Sequence, residues 1–236
     1  LMNNTIGEAL VRLVRSCGGE VKAVTYHGDK GLHVAKAIWG FSQQKDWSTS
    51  YAYGNKAYDE DEEAKAEIIA INKKVYDGSD EEINKIYKEG TEKSFAEFEA
   101  MYARLGSVFS EHFLESEAGN VGKKIVLENV GQVFEEGDGG AIVFKGEKYG
   151  LHTRVFLNSE GLPTYEAKEV GLAKIKISKY KYDQSITITG NEQDDFFKVT
   201  ESAIGEVFPE LKGKLKHLSH GMLRLPTCLL YTSDAA

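Results

Sequence analysis

The sequence predicts an α/β protein: a doubly wound, largely parallel sheet interrupted by a helical insertion. Three observations carry this. An α-β-α run opens the chain, a charged helical stretch follows over 55–103, and strand–helix alternation returns over 140–226.

Residues 5–17 place Ile6, Leu10, Leu13, Val14 and Cys17 at helical spacing, and Gly18-Gly19 stops the helix. EVKAVTYHGD (20–29) reads as a buried strand ending in a Gly-Asp turn, and Gly31 to Ile38 begins the next helix. Over 55–103 charged residues crowd around apolar ones at helical spacing, giving two or three amphipathic helices broken at DGSD and near Gly90. Ser79 before Glu82 has capping-box spacing. This acidic region reads as a solvated helical insertion. GAIVFKGEKYGLHTRVFLNSEG (140–161) gives two strands joined by a turn at Gly146. A helix over 164–179, a strand over 185–190, a helix over 192–207 and a strand over 215–226 complete the pattern.

The 41% hydrophobic content supports a real core, and no apolar run approaches the roughly 18 residues of a membrane helix. With Cys228 set aside only Cys17 remains, which excludes disulfides and a cysteine-based zinc site and fits a reducing cytoplasm. The net charge of −8 argues against a standalone nucleic-acid binder. Residue 1 is Leu, and LMNNTIGEALVRLV enters a helical pattern at once. At the other end, 228–236 (CLLYTSDAA) looks like the translation of a transposase sequencing adaptor. The expected divisions are 1–54, first half of the sheet domain; 55–118, helical insertion; 119–227, second half; and 228–236, a non-structural tail.

Four groups of residues could carry chemistry. Tyr165 and Glu169, at i and i+4 in the first turns of a helix, put a phenol and a carboxylate on one face. That pair suits a guanidinium, with its rigid fork of five donors, although a first-turn acid is also simply favoured by the helix dipole. Gly190-Asn191-Glu192-Gln193 follows a strand and opens a helix, at the carboxyl edge where open α/β sheets bind ligands; from these residues alone a plain strand-to-helix turn is the favoured reading. Tyr26, Asp29 and His33 lie at the end of the first strand, a possible edge of an active site with poor metal-ligand spacing. His217 and His220, beside Gly221 and Met222, occupy the last strand, where exposed strand histidines are the plain reading.

NNTIGEAL, TYHGDKGLHVAKAIWG, GEKYGLHTRVFLNSEGLPTYEAKEVGL, ITGNEQDDFF and LSHGMLRLP occur in the order and spacing of arginyl-tRNA synthetases. The chain resembles their catalytic domain over essentially all of residues 1–227. The resemblance implies a class I synthetase Rossmann-like doubly wound parallel sheet with a helical insertion. It implies an arginine–tRNA ligase with L-arginine, ATP with Mg2+, and tRNA(Arg) as its substrates, and with no membrane or DNA partner. It assigns the arginine side chain to Tyr165, Glu169 and Gln193, where the family's usual Asp is replaced by Glu169, one methylene longer. The strand around His220, Gly221 and Met222 resembles the part lying against adenine. The family's His-x-Gly-His motif ends just before a leucine like Leu1, and LRLPT should lead into a Gly-Lys-Met-Ser-Ser loop where the adaptor-like residues begin. The fragment is therefore expected to lack both ATP motifs, to be inactive alone and to be marginally stable. No residue within it is assigned a catalytic role, and no protein-bound metal is expected. Another class I synthetase, or a non-catalytic arginine-binding module derived from a synthetase, are the competing readings.

Overall fold

The computed structural model describes residues 2–221, and the backbone alone of 224–225 and 228–229. In chain order the elements are α1 Met2–Ser16, β1 Val24–His27, α2 Leu32–Gln44, α3 Trp47–Glu60, α4 Glu62–Asp77, α5 Glu81–Leu105, β2 Glu111–Leu114 and α6 Glu115–Glu128. Then follow β3 Glu135–Glu136, β4 Ile142–Phe144, β5 Arg154–Leu157, α7 Tyr165–Lys179, β6 Ser185–Gly190, α8 Asp194–Val207, β7 Leu215–His220, β8 Arg224–Leu225 and β9 Cys228–Leu229. The chain divides into two compact units, Leu1–Val21 with Glu117–Ala236, and Lys22–Ser116.

In the unit Lys22–Ser116, β1 and β2 pair in parallel from Val24↔Glu111 to His27↔Leu114. Helices α2 and α3 pack closely because each offers a glycine. A Cβ at Gly40 would fall 2.0 Å from the Ser50 carbonyl oxygen, and one at Gly54 2.0 Å from that of Lys36. Ala35, Trp39, Ala64 and Ile68 form the core of α2 and α4, and the Trp39 indole N–H donates to Glu67 at 2.6 Å.

Two expectations fail here for identifiable reasons. The expected break near Gly90 is absent, and α5 runs unbroken through it. A Cβ there would lie 2.5 Å from the Trp47 ring, so the glycine admits a tryptophan rather than ending a helix. The expected cap Ser79 yields to Asp80, whose carboxylate accepts from the backbone N–H groups of Glu82 and Ile83, both at 3.1 Å. The DGSD break is observed, with α4 closing on Gly78 in the left-handed conformation (φ 67°).

The other unit holds the larger core, in which Phe134, Phe144 and Phe156 are fully buried among Val126, Val170, Ile204 and Leu211. β3, β4 and β5 form an antiparallel sheet, and the expected turn at Gly146 is a short 3-10 helix, Gly146–Tyr149. β6 and β7 pair in parallel around α8, a β-α-β unit with all six residues of each strand in register. The parallel α/β character read from the sequence is thus present in both units, as the pairs β1–β2 and β6–β7. β8 pairs with β9 through Arg224↔Leu229 and Leu225↔Cys228.

Helices α6 and α7 cross at one close point. A Cβ at Gly122 would sit 1.8 Å from the Ala167 carbonyl oxygen, and one at Gly171 1.9 Å from that of Ala118. The crossing fixes α7, and with it the residues of its first turns.

Candidate functional site

The parallel pair β6–β7 ends flush. Gly190 is opposite His220, and the chain turns from Gly190 through Asn191–Gln193 directly into α8. The carboxyl ends of a parallel pair are where α/β proteins expose helix starts and loops to a ligand. Helix α7 reaches β6 through the short link 180–184, so its last turn lies at the amino end of β6 and its first turn toward the carboxyl end.

That first turn is held firmly. The Thr164 backbone N–H donates to the Phe156 carbonyl at 3.0 Å, and its hydroxyl donates to the Val155 carbonyl at 2.7 Å, tying the start of α7 to β5. Tyr165, the first residue of α7, is 44% exposed, with the Lys168 ammonium 4.6 Å from its ring centre. Glu169 follows one turn later and is half-buried. It lines a small pocket between α7, α8, β6 and β7 with Lys176, Thr187, Thr200, Glu201 and Lys216. The pocket is about 20 Å³, room for a water and not for an amino acid. Of Tyr165, Glu169 and Gln193, Glu169 alone lines it. Burial holds the Lys176 ammonium below its ordinary pKa, opposed by the Glu169 charge, and burial raises Glu201.

Gln193 ends the strand-to-helix turn and directly precedes α8. The turn is acidic. A Cβ at Gly190 would lie 2.2 Å from Glu192 Oε2, so that carboxylate folds back over the glycine, and Asp194 and Asp195 occupy the first turn of α8. Helix-start amides alone favour an anion, but three carboxylates in this turn favour a cation.

Several participants were not legible in the sequence. Glu166, next to Tyr165, is 9% exposed and accepts from Arg154 Nη1 at 3.0 Å. The Arg154 guanidinium lies 5.7 Å from the Phe196 ring centre, joining β5, α7 and α8. His217 is no exposed strand histidine. Its side chain is 8% exposed, with Asp194 Oδ1 3.3 Å from Nδ1, the Thr189 hydroxyl 2.7 Å from Nε2, and the Phe197 ring stacked at 4.2 Å. Burial lowers its pKa, against the charges of Asp194 and Glu192.

His220 bonds the Gly221 carbonyl at 2.9 Å and the Asn3 side chain of α1. Among the described residues, a Cβ at Gly221 would meet nothing within 4 Å. Met222 lies outside the described residues.

In the unit Lys22–Ser116, Asp29 is already engaged. The residue is 7% exposed, and its carboxylate accepts from the Ser116 backbone N–H at 2.9 Å, the Ser116 hydroxyl at 2.6 Å and the Tyr87 hydroxyl at 3.1 Å. Burial and the Asp29 charge push the Tyr87 phenol up to about 12. These bonds give Asp29 a structural task. Tyr26 lies within β1 opposite Phe113, and His33 is exposed in the first turn of α2, bonded to the Gly28 carbonyl at 3.2 Å.

Beside them the Thr25 hydroxyl joins His27 Nε2 at 2.7 Å and His112 Nδ1 at 2.6 Å, and Glu99 Oε1 lies 2.9 Å from His112 Nε2. The carboxylate requires N–H at His112 Nε2, so Nδ1 accepts the Thr25 hydroxyl, which in turn accepts the His27 Nε2–H. Phe95 and Phe98 flank His27, each at 5.0 Å. Burial, then His112, lowers the His27 pKa below 6.5, with Asp29 and Glu99 opposing. The unfolded chain therefore binds more protons than the folded one between 6.5 and that lower value, and stability falls as pH drops through this window. His27→Gln is expected to flatten the melting temperature between pH 7 and pH 5; an unchanged slope would assign the effect elsewhere.

Among the described residues no helix is long and apolar enough to cross a membrane, and no group of three His, Cys, Asp or Glu could hold a metal.

The catalytic-domain model of class I tRNA synthetases (R) matches residues 1–225. An arginine–tRNA ligase from Treponema pallidum is 25% identical over 242 residues, covering 96% of this chain and 41% of the relative. One from Bacteroides thetaiotaomicron is 25% identical over 256 residues, covering 95% and 43%. The chain thus spans about two fifths of the length of these relatives. The crystal structure of arginyl-tRNA synthetase from Plasmodium falciparum superposes with a TM-score of 0.75 at 17% identity, covering 93% of this chain and 39% of that one, which shows a shared fold. With the family model matching nearly its whole length, the chain belongs to the class I (R) tRNA synthetase catalytic-domain family.

Proposed function

We propose that the protein containing this chain is a cytoplasmic arginine–tRNA ligase, and that this chain carries its selection of arginine. The observation that supports the reading is the carboxyl edge of β6–β7, where Gln193 and an acidic turn end the pair, together with Tyr165 and Glu169 one turn apart at the start of α7.

The reaction has two steps. An arginine carboxylate oxygen attacks the α-phosphate of ATP, forming the mixed anhydride and releasing pyrophosphate. The terminal ribose hydroxyl of tRNA(Arg) then attacks the anhydride carbonyl, forming the ester and releasing AMP. Neither step needs a covalent bond to a side chain, so the protein acts by positioning its reactants and by charge stabilisation. In this reading the Glu169 carboxylate accepts from the guanidinium fork, the Tyr165 hydroxyl takes a further N–H, and Gln193 fixes the remaining polar edge. The backbone of His220 and Gly221 lies against adenine in this reading, and ATP arrives as its magnesium complex, with no metal held by the chain itself. Acceptors arranged for a guanidinium are left unpaired by other side chains, which sets the selectivity.

ATP–pyrophosphate exchange by the complete protein, with tRNA(Arg) present, is expected to depend on arginine and on none of lysine, ornithine and citrulline. Exchange driven equally by another amino acid would identify a different synthetase. Arginine binding without exchange would favour a non-catalytic arginine-binding module.

A further inference from the structure

The small pocket beside Glu169 holds a lysine that the proposed reaction does not use. Lys176 follows Glu169 by seven residues on α7, so the two share a face. Helical side chains lean toward the amino terminus, which carries the Lys176 stem back toward Glu169. Both line the pocket, and the Glu169 charge supports the Lys176 ammonium. Phe197 and Ile204 of α8 and Leu215 of β7 are apolar walls, and β6 brings the uncharged Ser185 and Thr187. Two further charged groups face the pocket, Glu201 of α8 and Lys216 of β7. Burial keeps the Glu201 carboxyl toward its neutral form, against a hydrogen bond from the His217 backbone N–H. Lys216 is exposed and carries the same charge as Lys176. Among the described residues that line the pocket, Glu169 is thus the one that keeps Lys176 protonated, against burial that favours the neutral amine.

We infer that Lys176 is the resident counter-ion of Glu169, and that an arriving guanidinium takes its place and drives a proton off Lys176 into solvent. The inference rests on the reading of Glu169 as the guanidinium acceptor. The pocket has a free volume of about 20 Å³, room for a water and not for a second cation beside the ammonium. A guanidinium therefore meets Glu169 from the side of Tyr165, one turn earlier on α7, while the Lys176 amine stays enclosed. Once the carboxylate is matched by a cation that cannot lose its charge, the ammonium has lost its support and gained a like-charged neighbour. Its neutral form then prevails. The N–H bond at Nζ breaks, its electron pair stays on nitrogen, and the proton passes to the buffer. Lys176 holds its proton more tightly in the free protein than in the complex, so arginine affinity rises with pH between those two pKa values.

The test is calorimetric titration of the complete protein with L-arginine near about pH 7.5 in phosphate and in Tris, whose heats of ionisation differ enough to count protons. The parent is expected to release about half a proton or more per arginine, and its affinity to rise roughly fivefold between about pH 6.5 and pH 8. Lys176→Met keeps the apolar stem and removes the amine. It is expected to release less than about 0.2 proton, with affinity flat within about twofold over the same range. Glu201 and His217 are present in both proteins, so the difference belongs to Lys176. Lys176→Arg keeps a cation that cannot give up its proton, and is expected to release none and to bind arginine about tenfold more weakly. Circular dichroism melts show whether each variant folds, and the Arg variant retains length and charge should the Met variant fail. Arginine binding with an equal proton count in the parent and the variants would overturn the inference and leave the arginine reading intact. No arginine binding by the parent would overturn both.

Discussion

Alanine at Gly122 is expected to destabilise the unit containing α6–α8 by about 3 kcal/mol or more, lowering its melting temperature by roughly 10 °C. The added methyl would lie 1.8 Å from the Ala167 carbonyl oxygen, far inside van der Waals contact. The obstacle is backbone on a packed helix, so no rotamer change relieves it. The helices must separate by more than an ångström, loosening Val126 and Val170, both fully buried beside the crossing. Gly171→Ala meets the Ala118 carbonyl at 1.9 Å and is expected to behave alike. Gly7→Ala is the contrast. Its nearest neighbour would be Ile188 Cδ1 at 3.6 Å, an ordinary contact, and removing a mid-helix glycine from α1 is expected to gain up to about 1 kcal/mol. Equal melting temperatures for Gly122→Ala and Gly7→Ala would refute the close crossing. Because α7 carries Tyr165 and Glu169, Gly122→Ala is expected to weaken arginine binding as well.

Glu169→Gln is expected to weaken arginine binding by about 100-fold, roughly 2.7 kcal/mol, and ATP binding by less than threefold. The substitution keeps shape and removes charge. In the proposed complex the guanidinium would then face a neutral amide in a partly desolvated place, with only part of its hydrogen bonding replaced. ATP lies against other residues in this reading, so its affinity reports whether the fold survived. Equal losses for the two ligands would assign Glu169 a structural part beside Lys176 instead.

Local chemistry made much of this fold legible. SITITG alternates β-branched residues and stops at glycine, and β6 occupies Ser185–Gly190 as read. The start of α7 and the turn at Gly146 were equally visible. What failed required a partner distant in sequence. Gly90 looks like a helix breaker until Trp47 is placed against it. Ser79 and Asp80 are both cap residues by type, and only the backbone selects Asp80. Asp29 sits at a strand end like a ligand-edge acid, but its carboxylate belongs to Ser116, 87 residues away. Of the candidate site, the i, i+4 spacing of Tyr165 and Glu169 was legible. The Arg154–Glu166 pair and the enclosed His217 were not, because each joins different elements.

The most direct test of arginine selection is calorimetric titration of the complete protein and its Glu169→Gln variant with L-arginine and with L-citrulline, which has nearly the shape of arginine but no charge. The carboxylate account predicts a preference for arginine of at least about 100-fold in the parent, collapsing to within about fivefold in the variant. A preference that survives the substitution unchanged would show that the guanidinium charge is read by some other group.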